Sequence, residues 1–472
     1  MTAVRRGLAW TGLASAVVGG LDVIATLVLL RWWLTPAEYG IAALVTPLYP
    51  MLDLVADAGF TAAVIQHDDD DPATVSTAFW AACACSAAVA VALLGVGPLL
   101  AWLHGTPIVA GLVAGYGVKL ILQNGYMVPG AVLRRRLAFG TLARIRSAGA
   151  AAEFVGKLGA AAAGWGVWCF VVGQLAKTVV LAVATVRAAR FWPSRQWDRL
   201  ALRRLWAFGG RASASQVLFH LYTNADYQIV GLWFGPTATG LYRAAYELVL
   251  EPAKLLSYVV VEVAFPVFAK LRGQAAAARA QLFAFTRHNL AVLVPVMTAL
   301  VLAPGSWLEL CFGAEWRAAA PAVQLLGVVG VLRALAFLLP PLLDGLGRAD
   351  LTLRYMVVAA VAVPGSQVVA AATVGGALGW QAVALAWAIG YPIAFAVLMA
   401  LALELTATSI ADYLRAVAPV LAVGACGAVA GLAATAVAPS AAAPRVLMIS
   451  AAVALVDGGA GWWLIRRARR RS

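Results

Sequence analysis

From Leu8 to Ile465 the chain alternates long apolar stretches with short polar gaps. Fourteen stretches can be drawn, beginning with Leu8–Leu30 and ending with Val446–Ile465. Each reaches the roughly 20 residues that a helix needs to cross the hydrocarbon core of a bilayer. The alternating in–out pattern of a barrel strand is absent, and a lipid-exposed backbone must satisfy its own polar groups, so the stretches predict helices. The longest gap, Arg187 to Arg204, has no room for an extramembrane domain. Pro47 and Pro50, Pro252 and Pro266, and Pro340 and Pro341 interrupt the second, eighth and tenth stretches and predict kinks there, because proline removes a helical hydrogen bond.

Polar residues in the gaps set the orientation. Of 35 Lys and Arg, 25 lie in every second gap or at the two ends, three (Arg31, Arg317, Arg445) in the other gaps, and seven inside stretches. Lys and Arg resist translocation, so the heavily basic gaps are expected on the cytoplasmic side, with both termini there. Composition agrees: 63% hydrophobic and 12% charged residues lie far from the soluble averages of roughly 45–50% and 25%. The net charge of +14 is therefore a topology signal, with some attraction to anionic lipid, and nucleic acid is not expected as a partner. The first stretch is too long for a signal peptide and holds Asp22 at its middle, so it is expected to be a retained span. The run Asp68–Asp71 before Pro72 predicts a solvated helix start. The five cysteines and four histidines show no metal-ligand spacing.

The chain also repeats itself. Trp33, Pro36 and Gly40 recur as Trp233, Pro236 and Gly240, and Pro129 with Arg136 recurs as Pro341 with Arg348. Both echoes fall six stretches apart, so the halves enter the membrane in the same sense, and a site is expected between them. Residues 1–188 are expected to form an N-terminal six-helix lobe, 189–205 a basic cytoplasmic linker, and 206–404 a C-terminal six-helix lobe. Residues 405–472 are expected to form an accessory helix pair and a basic tail.

Several segments resemble one family in its own order. They are Leu34–Ile41, Asp57–Phe60 with Val64–Gln66, Ser76–Trp80, Gly164–Trp168 and Asn224–Gly231, then Gly240–Tyr246, Phe312–Pro321 and Gly345–Arg348. In these the chain resembles the PST-type polysaccharide transporters, lipid-linked oligosaccharide flippases of the MATE/MOP superfamily. The four aspartates at 68–71 depart from the mixed charges usual there, and the last two spans match only as apolar helices. The resemblance implies an all-α integral membrane protein with two six-helix bundles around a central cavity. It further implies export of a polyprenyl-diphosphate-linked oligosaccharide across the inner membrane by alternating access, with polysaccharide polymerase and other glycan-assembly proteins as partners. No cofactor is expected, only an H⁺ or Na⁺ gradient, since no nucleotide-binding motif is present. Two other readings stay open at this point: a cation-coupled antiporter, and a membrane polymerase or glycosyltransferase, against which the small outer gaps argue.

A diphosphate crossing the membrane needs fixed positive charge along its route. The intramembrane cations are Lys119, Lys157, Lys177, Arg211, Arg243, Lys254 and Arg333. Lys157, Arg243 and Lys254 have Glu153, Glu247 and Glu251 within helical reach, and Arg211 lies where it can snorkel. Lys119, Lys177 and Arg333 have no acid along their own helices, so Lys119 and Arg333 are the foremost cavity candidates, then Lys177, Arg243 and Lys254. Among the buried carboxylates (Glu153, Glu247, Glu251, Glu262 and Asp457 included), Asp22, Asp53, Asp57 and Asp226 are the ion-coupling candidates, with counter-ion duty as the alternative for each.

Overall fold

The computed structural model describes the backbone of residues 2–66 and 72–469. The Asp68–Asp71 run lies outside the described residues, as do the side chains of Arg211 and Glu262. Every described regular element is helical, and the chain divides into two compact units. One comprises residues 1–224 with 235–240, the other 225–234 with 241–472.

In the first unit the helices are α1 (Thr2–Trp32), α2 (Pro36–Val45), α3 (Tyr49–Asp57), α4 (Phe60–Gln66), α5 (Pro72–Leu103), α6 (Ile108–Arg135), α7 (Phe139–Ala162) and α8 (Trp168–Ala189). A further helix, α9 (Arg199–Lys270), runs from this unit into the second. The start of α2 is fixed locally. Thr35 accepts the Glu38 N–H, Glu38 reaches back to the Thr35 N–H at 3.0 Å, and Pro36 fills the first helical position, where no N–H is needed.

The second expected span, Tyr39–Ile65, is not one helix. Pro47 and Pro50 divide it through a 3₁₀ turn at Thr46–Leu48, and left-handed Ala58 (φ 47°) and Gly59 (φ 77°) then separate α3 from α4. Arg190, also left-handed, ends α8. The following segment is fastened to the first turns of α5. Trp80 Nε1 donates to the Ser194 carbonyl at 2.8 Å, the Ser194 N–H to Ser76 Oγ at 3.1 Å, and the Asp198 N–H to Thr77 Oγ1 at 3.0 Å. A buried cluster built on Leu44, Tyr49, Leu93, Leu112, Tyr116 and Val171 ties α2, α3, α5, α6 and α8 together.

Within α9 the helical backbone breaks only at Gly235 (φ 82°, ψ 179°), one residue before Pro236. This is the second copy of the Trp–Pro–Gly signature, and residues 235–240 group with the first unit. There the two copies meet: a Cβ on Gly40 would overlap the Pro236 carbonyl, and one on Gly240 would overlap the Pro36 carbonyl. Glycine is needed at both places because backbone occupies the space a side chain would take.

The second unit continues with α10 (Ala275–Leu302), α11 (Pro304–Cys311), α12 (Ala320–Gly345), α13 (Ala349–Thr373), α14 (Gly375–Leu378), α15 (Gln381–Leu405), α16 (Ile410–Val437) and α17 (Ala442–Arg469). Helices α12, α13 and α15 pack together, and α16 and α17 pack on each other and on α10. Helix α12 continues through Pro340 and Pro341. Pro252 and Pro266 likewise lie inside α9 without a break in its dihedral angles.

Eleven stretches among the described residues are long and apolar enough to cross a membrane. Neither α7 nor α9 is among them, although the sequence places the fifth, seventh and eighth expected spans there. Helix α7 carries Arg146, Glu153 and Lys157 within its apolar length, and α9 includes residues whose side chains lie outside the described ones.

Candidate functional site: charges paired inside each unit

Among the described residues the first unit builds two charged clusters. In one, Lys119 Nζ of α6 donates to Asp53 of α3, to Gln123 Oε1 at 2.9 Å and to Tyr116 Oη at 3.2 Å. Tyr116 Oη also lies 2.6 Å from Asp53 and 2.9 Å from the Tyr49 carbonyl, and the rings of Tyr49 and Tyr116 stack at 3.6 Å. Residues 116, 119 and 123 share one face of α6 because they are spaced three and four apart. Lys119 is 4% exposed and the Asp53 side chain 31%, so the carboxylate is the open end of the pair. Gln123 is fully buried, and its Nε2 has no hydrogen-bond partner among the described residues.

The second cluster joins α1, α7 and α8. Lys157 contacts Asp22 at 2.8 Å and Glu153 at 2.9 Å, while Lys177 contacts Glu153 at 2.7 Å. Gln174 donates to Glu153 at 2.9 Å. Asp22 is the exposed member, at 63% of its side chain. Glu153 thus serves two lysines, and both Asp22 and Lys177 are counter-charges within one network.

Asp57 has a different task. It accepts the backbone N–H and hydroxyl of Thr61, across the left-handed corner before α4. Asp53 thus faces Lys119, whereas Asp57 fastens the next turn of chain.

In the second unit, Asp226 is fully buried. It accepts from Tyr242 Oη at 2.7 Å, from Trp387 Nε1 at 3.2 Å and from the Tyr227 N–H at 3.0 Å. Three donors satisfy a carboxylate in the way buried polar groups require. Arg333 Nη1 donates to Tyr246 Oη at 2.6 Å, and its guanidinium lies 4.7 Å over Trp387. Arg243 pairs with Glu247 at 2.8 Å along its own helix. Lys254 and Glu251 form a 3.4 Å pair with the lysine 61% exposed, the geometry of a weak surface pair. Both amide atoms of the buried Gln367 and both carboxylate oxygens of Asp457, which lies over Gly427, have no partner among the described residues.

The sequence expectation that Lys119 and Lys177 stand without acids holds only along their own helices, since α3 and α7 supply them. Tyr49, Tyr116, Gln123, Tyr242, Tyr246 and Trp387 were missed. Their signals were present, in the three- and four-residue spacing of Tyr116, Lys119 and Gln123 and in the four-residue spacing of Tyr242 and Tyr246.

The chain is similar to several proteins of polysaccharide assembly. It is 26% identical over 361 residues to the teichuronic acid biosynthesis protein TuaB of Bacillus subtilis (strain 168), covering 74% of this chain and 72% of that protein. It is 22% identical over 366 residues to the lipopolysaccharide biosynthesis protein WzxC of Escherichia coli (strain K12), with 74% and 72% covered. It is 25% identical over 365 residues to the succinoglycan biosynthesis transport protein ExoT of Rhizobium meliloti (strain 1021), with 77% and 73% covered. In fold it matches the lipid II flippase MurJ in an inward closed conformation, with a TM-score of 0.78 at 13% identity over 97% of this chain and 99% of that one. It also matches an inward-facing multidrug resistance MATE transporter of the MOP superfamily, with a TM-score of 0.64 at 14% identity over 83% and 94%. A family model described as polysaccharide biosynthesis protein matches residues 28–321, more than half of the 472. The chain is a multi-pass membrane protein with a MurJ- and MATE-like helical fold, and it belongs to the polysaccharide biosynthesis protein family.

Proposed function

We propose that this protein is a flippase that carries a polyprenyl-diphosphate-linked oligosaccharide from the cytoplasmic to the outer leaflet of the inner membrane, by alternating access. Its termini lie in the cytoplasm, on the side of the basic gaps. The names of its relatives, among them a transport protein for succinoglycan and, in fold, a lipid II flippase, support the substrate class.

The observation that carries the reading is the cluster at Lys119. Among the described residues, a buried ammonium stands beside a carboxamide whose Nε2 has no partner, and the carboxylate holding that ammonium is the more exposed member. An incoming diphosphate supplies the one acceptor this cluster lacks, for Gln123 Nε2–H, and a second oxygen would replace Asp53 on Lys119 Nζ. Asp53 must yield its place, because two anions on one lysine repel. A proton on Asp53 lets it yield without leaving an unpaired charge, so a proton gradient would couple to lipid loading. Lys177 and Asp22 serve the same exchange at the second cluster, Lys177 releasing Glu153 to meet phosphate and Asp22 taking the proton. Arg243 and Lys254 add positive charge in the other unit. A polymerase that consumes the delivered repeat unit is the expected downstream partner.

The test is translocation in proteoliposomes holding a fluorescent polyprenyl-diphosphate oligosaccharide, with and without a pH or Na⁺ gradient. Protein-dependent movement that accelerates with the pH gradient is the expected result. Asp53→Asn should keep downhill exchange but lose the response to pH, since the amide cannot take up the proton. Immobility of that lipid beside gradient-driven uptake of an organic cation would overturn the reading in favour of a cation antiporter.

A further inference from the structure

Arg333 lies among three aromatic rings and donates through Nη1 to the Tyr246 hydroxyl at 2.6 Å. Its guanidinium carbon lies 4.7 Å from the Trp387 ring centroid and 5.7 Å from those of both Tyr246 and Tyr391. These rings hold one another: Trp387 packs on Tyr391 at 5.6 Å and on Tyr246 at 6.2 Å, and Tyr246 packs on Tyr227 at 5.7 Å. Aromatic rings gathered around one cation, here with the Tyr246 hydroxyl as an added acceptor, are the arrangement by which proteins hold quaternary ammonium and guanidinium groups.

Behind the indole the site is tuned further. Trp387 Nε1–H is shared between Asp226 at 3.2 Å and Tyr242 Oη at 2.8 Å. Donating that proton towards a buried carboxylate enriches the ring face on which the guanidinium rests. Asp226 thereby acts on the cation through the ring and, with the donors of Tyr242 and Tyr227, stays fully satisfied.

We propose that these residues form a binding cage for organic cations of the guanidinium or quaternary ammonium class. Arg333 is its tethered occupant and the residue that bars free cations from it. A ligand attached by a short tether is present at an effective concentration on the order of millimolar or more, so a free competitor of similar intrinsic affinity is excluded. The tether rises from α12, while the walls come from the Leu241-to-Lys270 part of α9 and from α15, so removing one side chain empties the cage and leaves the walls standing. This inference does not rest on the flippase reading, because it concerns the cage and not the transported lipid.

The experiment is isothermal titration of the full chain in detergent with tetramethylammonium chloride and with methylguanidinium chloride, against sodium chloride. The wild type and Arg333→Lys, whose cages stay filled, should show no saturable heat. Arg333→Ala should bind one cation per chain, and adding Trp387→Leu should weaken that binding at least tenfold. Folded Arg333→Ala without saturable binding, wild-type binding equal to that of the variant, or binding indifferent to Trp387→Leu each overturns the proposal. If Arg333→Ala is recovered only as aggregate, purification is repeated in tetramethylammonium. Recovery of monodisperse protein with that salt and not with sodium supports the cage, and aggregation in both overturns it. None of these readouts involves lipid translocation, so failure here is separable from failure of the flippase reading.

Discussion

Lys119 is the deeper half of its pair with Asp53, so the two halves are unequal under mutation. Asp53→Asn leaves a buried ammonium with only neutral acceptors and should destabilise by about 3–5 kcal/mol. Lys119→Met leaves a carboxylate that still reaches the open side and should cost about 1–2 kcal/mol. Unfolding of both variants and of the double variant in detergent checks the order, and a double variant milder than Asp53→Asn alone is expected. Asp57→Ala, which removes the acceptor for Thr61, should cost about 1 kcal/mol by analogy with a lost helix cap and leave the pH response of translocation unchanged. At this scale the sequence reveals only pairs within a helix. Glu153 with Lys157, Arg243 with Glu247 and Glu251 with Lys254 were legible because three- and four-residue spacing puts them on one face. Asp53 with Lys119 and Asp22 with Lys157 were not, because their partners come from other helices. The cage around Arg333 was hidden for the same reason, its rings lying on α9 and α15.

The Trp–Pro–Gly signature shows what the elements add. Its recurrence was visible in the sequence and suggested a turn, but the mutual approach of Gly40 to Pro236 and of Gly240 to Pro36 is a tertiary fact. Gly40→Ala or Gly240→Ala must push backbone away from backbone, and loss of monodisperse protein in size-exclusion chromatography is expected. Gly95 of α5 has open space where a Cβ would stand, so Gly95→Ala should be neutral or stabilise by about 0.5–1 kcal/mol in the same unfolding assay. Proline was a less faithful guide. Pro47 lies in the 3₁₀ turn that follows α2, and Pro50 in the first turn of α3, where no N–H is needed. Pro340 and Pro341 sit inside a helix that continues through both, and membrane helices tolerate the lost hydrogen bond through local adjustment.

For the whole molecule, apolar stretches and basic gaps were enough to reach a helical membrane fold, because the bilayer restricts spanning structures so severely. Orientation is open to direct measurement. With the five native cysteines replaced, a Ser472→Cys variant in intact cells should resist a membrane-impermeant maleimide and react once the inner membrane is opened. Labelling of intact cells would reverse the assigned topology. The distances along the chain between paired charges also bear on how the protein is made. Lys157 has one acid four residues away, so that pair leaves the ribosome together within α7. Asp53 emerges 66 residues before Lys119, and Asp22 emerges 135 residues before Lys157. Helices α1 and α3 therefore enter the lipid with carboxylates whose cations have not yet been synthesised. These acids must travel protonated, or wait beside the insertion machinery, until α6 and α7 arrive. A nascent chain halted before α6 should accordingly remain crosslinkable to the translocon, and replacing Asp22 and Asp53 with asparagine should release it earlier.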